Sequence, residues 1–408
     1  MNDLAGKHLV LGITGGIAAY KAAQLCRSLM DAGASVQVVM TPAACQFITP
    51  LTMQALSGRP VISDAWEASH PAIPNAMPHI EPSRHASAII VAPATADFMA
   101  KLAHGLANDA LSNLCLARNS AAVPLLIAPA MNVEMWQNPA TQRNLRTLMG
   151  DGIRVLGPAS GVQACGEVGQ GRLLEPADIV SEVLAYFQPK CLAGKRVLIT
   201  AGATYEPIDP VRGITNVSSG KMGYAIAQAA WEAGAQVTLI SGATALPAPY
   251  GVSVIKALSA RDMLAAVLAR AADNDVFFSV AAVADWRCAQ AADQKMKKTA
   301  GVDAHTLHLV QNPDILATVA ALPAPPFCVG FAAETEDFDA NAQAKRIKKN
   351  VPLLVGNDAK LAMQSDDNAL TLYDAKGITR LPLQAKLAAA RALVAATAQR
   401  MSQARQPA

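Results

Sequence analysis

The sequence reads as an α/β protein made of two doubly wound, Rossmann-like domains, each on a mostly parallel sheet. Three observations predict this. The segment Leu4-Ala5-Gly6-Lys7-His8-Leu9-Val10-Leu11-Gly12-Ile13-Thr14 returns as Leu192-Ala193-Gly194-Lys195-Arg196-Val197-Leu198-Ile199-Thr200. Each copy leads into an Ala-rich helical stretch that stops at glycine, in Ala32-Gly33-Ala34 and Ala233-Gly234-Ala235, ahead of a second apolar run at Val36–Met40 or Val237–Ile240. Gly just past the last turn is a common helix stop. Further short apolar runs follow at Ala88–Val91 and Val123–Ala128, then at Val276–Val280, Cys328–Phe331 and Leu353–Val355. Strands apolar along their whole length, alternating with helices, belong to parallel sheets covered on both faces.

A chain of 408 residues is too long for one ordinary core and suits two domains of roughly 200 residues. We place them at 1–190 and 191–408, joined near Gln188-Pro189-Lys190. Hydrophobic residues make up 52% of the chain, charged ones 16%, and the net charge is +3. No long basic run points to nucleic acid or an anionic membrane; the short Lys345-Arg346-Ile347-Lys348-Lys349 cluster reads as a solvated helix face. Pro, Gly or charge interrupts apolar stretches before about 18 residues, so no membrane span is expected. The seven cysteines include no Cys-x-x-Cys pair, which argues against a disulfide framework or a thiolate zinc site. With no secretory leader pattern at the N-terminus, a cytoplasmic location is expected.

Ligands of doubly wound sheets bind at the carboxyl ends of the strands, and that rule selects the residues to examine. The first strand runs into Gly12-Ile13-Thr14-Gly15-Gly16, which lacks the Gly-x-Gly-x-x-Gly spacing of a dinucleotide site; backbone amides there still suit one phosphate. Thr41 closes the next strand, Pro93-Ala94-Thr95-Ala96-Asp97 the third, and Pro129-Ala130-Met131-Asn132 the fourth. Small residues and hydroxyls at these ends describe a shallow slot for a flat, phosphorylated ligand. A loop histidine such as His79, or a turn asparagine such as Asn132, is by itself more often surface or cap. Cys165 differs: it lies in Ala164-Cys165-Gly166-Glu167-Val168-Gly169-Gln170-Gly171-Arg172, where glycines supply no packing, and reads as a thiol on a flexible flap.

Taken together, Gly15-Gly16-Ile17-Ala18-Ala19-Tyr20-Lys21, Pro93–Asp97, Pro129–Asn132 and the Ala164–Arg172 flap resemble the homo-oligomeric, flavin-containing cysteine decarboxylases over nearly all of residues 6–180. The resemblance implies a flavodoxin-like flavoprotein domain, a homo-oligomer, FMN held by Gly15, Gly16, Thr41, Ala94 and Thr95, and 4′-phosphopantothenoylcysteine as substrate. It further implies that His79 assists oxidation of the thiol, Asn132 binds the substrate carboxylate and Cys165 donates the last proton. Relatives often carry Trp where this chain has His85.

In the second half, Asp209-Pro210-Val211-Arg212-Gly213-Ile214-Thr215-Asn216-Val217-Ser218-Ser219-Gly220-Lys221-Met222-Gly223 precedes a helix expected at Tyr224–Glu232. It is not a P-loop: six residues separate Gly213 from Gly220 where four are needed, and Met222 replaces Ser/Thr. Downstream come Ala281-Ala282-Val283-Ala284-Asp285-Trp286, Lys295-Met296-Lys297-Lys298, Asn312-Pro313-Asp314-Ile315 and Gly330-Phe331-Ala332-Ala333-Glu334-Thr335. Lysines beside carboxylates and amides suit a triphosphate with Mg²⁺, though singly each lysine reads as a solvent-facing charge.

The set resembles phosphopantothenate–cysteine ligase over about residues 193–385. The resemblance implies a nucleotide-binding ligase domain using 4′-phosphopantothenate, cysteine and CTP with Mg²⁺, the metal's ligands being left open. Asn216 would position the acyl intermediate and Lys295 would hold the triphosphate. Ala281, Asp285, Asn312, Pro313, Asp314, Ile315, Phe331, Lys345 and Lys349 would line the nucleotide pocket. Gly202-Ala203-Thr204 departs from the more usual Gly-Pro-Thr or Gly-Gly-Thr, and Gly213 stands where a bulky residue is common. The rival readings are a two-domain nicotinamide oxidoreductase, disfavoured by the missing glycine fingerprint, and a non-catalytic flavin-binding protein. A non-catalytic protein should have lost some of His79, Asn132, Cys165, Asn216 and Lys295, and all five are present.

Overall fold

A computed structural model describes residues 2–64, 80–297, 306–334, 338–358 and 365–404. The chain divides into two compact units, Met1–Phe187 and Gln188–Ala408.

In the first unit, β1 (His8–Ile13), α1 (Lys21–Asp31), β2 (Ser35–Met40), α2 (Pro50–Ser57), β3 (Ala88–Ala94), α3 (Ala96–His104), α4 (Ala110–Ala117), β4 (Leu125–Pro129), α5 (Val133–Gln137), α6 (Pro139–Gly150) and β5 (Arg154–Val155) follow in order. The five strands make one parallel sheet in the order β2-β1-β3-β4-β5. A hairpin of β6 (Ala159–Val162) and β7 (Val168–Arg172) and then α7 (Pro176–Phe187) complete the unit. Alternate residues of each strand feed opposite faces. Val10, Ile89, Val91 and Ile127 pack with Phe98, Leu111, Leu114 and Leu148 in one cluster. On α1 and α7, which pack together, Leu25, Leu29, Ile179 and Val183 are buried. Burying each such side chain stabilises by about 1.5–3 kcal/mol relative to leaving it in water.

The second unit runs β8 (Arg196–Ala201), β9 (Tyr205–Pro207), β10 (Gly213–Thr215), α8 (Lys221–Glu232), β11 (Gln236–Ser241), β12 (Ser253–Lys256), α9 (Ala260–Ala271), β13 (Val276–Ser279), β14 (Trp286–Cys288), β15 (Leu309–Gln311), α10 (Ile315–Ala320), β16 (Phe327–Glu334), α11 (Phe338–Lys348), β17 (Leu353–Asp358), β18 (Leu370–Asp374), β19 (Gly377–Arg380) and α12 (Lys386–Ala404). Its large sheet has the order β12-β11-β8-β13-β16-β17-β18-β19, parallel up to β17 and antiparallel over the last two strands. Val197, Ile199, Val237 and Phe278 face α8 and α12, whereas Leu198, Ile240, Phe277 and Leu354 face α9 and α10. The antiparallel edge was not foreseen in the sequence. The expected helix at Tyr224–Glu232 starts three residues earlier, at Lys221, behind Gly220 in the left-handed conformation. Gly213 stands where bulk was expected because the Tyr205 ring occupies that space: a Cβ there would lie 2.3 Å from Tyr205 Cζ.

The two strand orders decide where ligands go. Order 2-1-3-4-5 reverses direction between β1 and β3, and the first six strands of the second sheet, counted from β8, follow order 3-2-1-4-5-6 and reverse between β8 and β13. Crevices at such switch points, at the carboxyl ends of the strands, are where doubly wound sheets bind ligands; in the flavodoxin-like order the switch point holds FMN.

Candidate functional sites

At the first switch point Thr14, just past β1, is 1% exposed. Its hydroxyl donates to Pro93 O at 2.7 Å and accepts from Thr95 N at 3.1 Å, tying β1 to β3. The loops after β1 and β2 also touch: a Cβ on Gly15 would lie 2.4 Å from Ala43 Cβ, so only glycine allows that approach. Above these loops lies a cleft of about 640 Å³ whose walls include Gly15, Gly16, Lys21, Pro93, Thr95, Asn132, Cys165 and Arg172. Thr95 caps α3, accepting from Phe98 N at 3.3 Å. Thr41 and Ala94 are buried behind the wall; the Thr41 hydroxyl accepts from Ala44 N at 3.2 Å and so shapes the loop rather than facing the cleft. A 3₁₀ turn, Ile17–Tyr20, lies between Gly16 and α1. At the rim Lys21 Nζ and Arg172 both bond Glu175 Oε1, at 2.8 and 2.5 Å. The Lys21 ammonium foremost, with Arg172, holds the Glu175 carboxyl below its usual range.

The flap bearing Cys165 is the β6–β7 hairpin, pinned to the end of β4. Met131 N donates to Gly171 O at 2.9 Å, Val133 N to Gln163 Oε1 at 2.9 Å, and Trp136 Nε1 to Gln170 Oε1 at 3.2 Å. Asn132 caps α5, its Oδ1 accepting from Met135 N at 3.0 Å. Its Nδ2 donates to Glu167 Oε2 at 3.2 Å, and the exposed Cys165 thiol donates to the same oxygen at 3.4 Å. Glu167 thus joins two residues that sequence reasoning singled out, and had no assigned role itself. His79 lies outside the described residues. His85 is exposed with its ring 3.5 Å from Glu81 Oε1, so replacing a Trp there leaves no core gap.

At the second switch point Thr200 Oγ1 accepts from Val280 N at 3.2 Å and Ala281 N at 3.4 Å. Thr204, fully buried, accepts from Ala284 N at 2.9 Å. These bonds fix the Ala281–Asp285 loop beside the Gly202–Thr204 turn. Asn216 Nδ2 donates to Val283 O at 3.1 Å, which brings the Asn216 loop to the same place. Asn312 is 8% exposed with both ends of its amide engaged, donating to Ala284 O at 2.8 Å and accepting from Arg287 at 3.2 Å. It therefore braces the Asp285 loop instead of offering its side chain to a ligand. Ile315 is 3% exposed and packs in the core. Asp314 caps α10 and pairs with Lys349 at 3.0 Å. Burial opposes its ionisation, yet the Ala317 amide and the Lys349 and Lys345 ammonium groups hold its carboxyl below the usual range. Phe331, in the middle of β16, is half-buried.

Lys295 is exposed, but its neighbour is anchored. Met296 N donates to Asp209 Oδ2 at 3.1 Å, and Arg212 bridges back to Met296 O at 2.9 Å. Asp209 also accepts from Val211 N, Arg212 N and the Arg212 guanidinium, all at 3.0 Å or less. These donors, the guanidinium foremost, hold its carboxyl far below the usual carboxylate range. Lys221 pairs with Asp366 at 2.6 Å, which lowers that carboxyl too. Among the described residues no group of three or more His, Cys, Asp or Glu is placed to hold a metal ion, and no helix is long and apolar enough to cross a membrane.

Residues 1–188 match the Flavoprotein family, and residues 192–401 match the DNA/pantothenate metabolism flavoprotein C-terminal domain. The coenzyme A biosynthesis bifunctional protein CoaBC of Vibrio vulnificus (strain YJ016) is 53% identical over 95% of this chain and 96% of its own. The chain belongs to this family. It is a bifunctional enzyme of coenzyme A biosynthesis, a decarboxylase joined to a ligase. The Escherichia coli (strain K12) protein of the same name is 48% identical over 94% of this chain and 95% of its own. Among solved structures, the C-terminal domain of a CoaBC protein is 39% identical, covering 52% of this chain and 99% of that one with a TM-score of 0.46. A PPC decarboxylase mutant complexed with pantothenoylaminoethenethiol is 31% identical, covering 44% and 98% with a TM-score of 0.40.

Proposed function

We propose that residues 1–190 form the FMN-dependent 4′-phosphopantothenoylcysteine decarboxylase and residues 191–408 the CTP-dependent phosphopantothenate–cysteine ligase. The observation that carries the first assignment is Asn132 and Cys165 meeting at one wall of the cleft over the β1–β3 switch point. The β1 loop, with no room for a Cβ at Gly15, and the open slot before Thr95 fit a flat phosphorylated group, so Gly15, Gly16, Pro93 and Thr95 would hold FMN, backed by Thr41 and Ala94. Bound there, FMN supplies two-electron redox chemistry at the substrate's thiol-bearing carbon. Asn132 Nδ2 donates to the substrate's carboxylate and orients it for loss as carbon dioxide. Cys165 supplies the proton that completes the product, and His79 assists the opening oxidation.

In the ligase, CTP arrives as its Mg²⁺ complex. The phosphopantothenate carboxylate attacks the α-phosphorus, a P–O bond forms and pyrophosphate leaves. The cysteine amine then attacks the acyl carbon, an amide forms and CMP leaves. Lys295 meets the triphosphate. Asn216 holds the acyl-cytidylate beside the amine, and Ala281, Asp285, the Asn312–Ile315 turn, Phe331, Lys345 and Lys349 surround the nucleotide. A homo-oligomer working in the cytoplasm completes the reading. The test is the purified full chain: it should be yellow, release FMN on heating, and release pyrophosphate from CTP only when phosphopantothenate is present. A colourless protein that cannot be reconstituted with FMN refutes the first assignment; release of pyrophosphate without phosphopantothenate refutes the second.

A further inference from the structure

Asn132 has a fixed orientation. Its Oδ1 is committed to Met135 N as the cap of α5, so its NH₂ group must point the other way, into the cleft. The acceptor waiting there is a carboxylate, Glu167 Oε2 at 3.2 Å. An ionised carboxylate only accepts, so Glu167 takes from Asn132 the same N–H donation that Asn132 offers the substrate's carboxylate. The same Oε2 also accepts the Cys165 S–H, at 3.4 Å. The hairpin itself does not depend on this contact, because Gln163 ties it to Val133 N at 2.9 Å and Gly171 O ties it to Met131 N at 2.9 Å.

We propose that Glu167 holds the place of the substrate's carboxylate on Asn132 in the resting enzyme, and that exchange of one carboxylate for the other couples substrate binding to Cys165. This rests on the reading of Asn132 as the group that binds the substrate carboxylate. Two carboxylates cannot share one NH₂ group without like-charge repulsion. An arriving substrate therefore displaces Glu167, whose Oε2 is left to the thiol alone. Once carbon dioxide has departed, Asn132 is open again and Glu167 returns, bringing Cys165 back with it. Glu167 is a positioning residue: it acts through Asn132 and Cys165.

The experiment is calorimetric binding to the FMN-loaded full chain with two unreactive ligands, phosphopantothenoylserine and its decarboxylated counterpart built on ethanolamine. The readout is the ratio of their affinities. Removing a competing charged hydrogen bond, Glu167→Gln should raise the preference for the carboxylate ligand about tenfold and leave the decarboxylated one nearly unchanged. A merely structural role would weaken both alike and leave the ratio where it was, which overturns the proposal. If Glu167→Gln does not fold, Glu167→Asp, which keeps the charge but withdraws it by one methylene, should raise the ratio as well, and an unchanged ratio there overturns the proposal. Asn132→Ala separates the two layers. If it leaves the carboxylate preference intact, the underlying reading of Asn132 fails. If it abolishes that preference while the Glu167 variants change nothing, the exchange alone fails.

Discussion

At the first switch point one buried hydroxyl, Thr14, ties β1 to β3; at the second, Thr200 in β8 and Thr204 in the turn after it hold the loop after β13. Beyond that shared device the two sites differ. The decarboxylase cleft is walled by a hairpin bonded to the end of β4 at several points, whereas Asn216, Asp285 and Lys295 of the ligase stand exposed on loops. Cations paired with the chain's own carboxylates occur at both, Lys21 with Glu175 at the first and Lys221 with Asp366 and Lys349 with Asp314 at the second. The contrast teaches what each site must do. A cofactor that stays can have a fixed cradle, while a triphosphate and two further substrates that come and go need accessible groups.

The sharpest break of the comparison is at Cys165. Cys165→Ser offers a far weaker acid, so phosphopantetheine formation should fall by about a hundredfold or more, with mass spectrometry finding a product two hydrogens short. Ligase turnover should be untouched; normal phosphopantetheine yield removes Cys165 from the chemistry. In the ligase the expected effects are similar in size but divide by half-reaction. Asn216→Asp should still release one enzyme-equivalent of pyrophosphate from CTP and phosphopantothenate, then make peptide about a hundredfold more slowly, because the intermediate is misplaced. Lys295→Gln should abolish the burst. A burst from Lys295→Gln and none from Asn216→Asp means the roles are reversed.

Smaller effects test the shared device. Thr14→Val and Thr204→Val keep shape but strand buried backbone partners, so each should cost about 1–3 kcal/mol in urea unfolding; no change in either sinks the claim that these hydroxyls join the switch points. The smallest effect is in acid. Asp209 has a folded pKa below its unfolded value, so its contribution is present above the unfolded value, about 3.9, and is lost as pH falls below it. Asp209→Asn should flatten the fall in urea midpoint below about pH 4, and an unchanged acid limb would show that the Asp209 bonds do not act on stability.

Much of this was legible because it is local. The Ala32-Gly33-Ala34 and Ala233-Gly234-Ala235 stops and the apolar strands were readable because each is set by neighbours a few residues away. What escaped reading depends on distant partners. Thr14 matters because Pro93 and Thr95 arrive beside it, and Asp209 because Met296 does. Glu167 looked like one more residue of a glycine-rich loop until the hairpin put it against Asn132. Asn312 and Ile315 belong to one motif in the sequence, yet their side chains face the loop backbone and the core, a distinction that spacing alone does not carry.

Two sites in one chain, each serving one reaction, is the central claim, and mixing two crippled chains tests it most directly. Lys295→Gln and Cys165→Ser should each fail alone to convert phosphopantothenate, cysteine and CTP into phosphopantetheine. Mixed in equal amounts, they should restore it, because phosphopantothenoylcysteine made by the second variant is consumed by the first. A mixture as inactive as its parts, with each variant deficient in both half-pathways, would contradict the account.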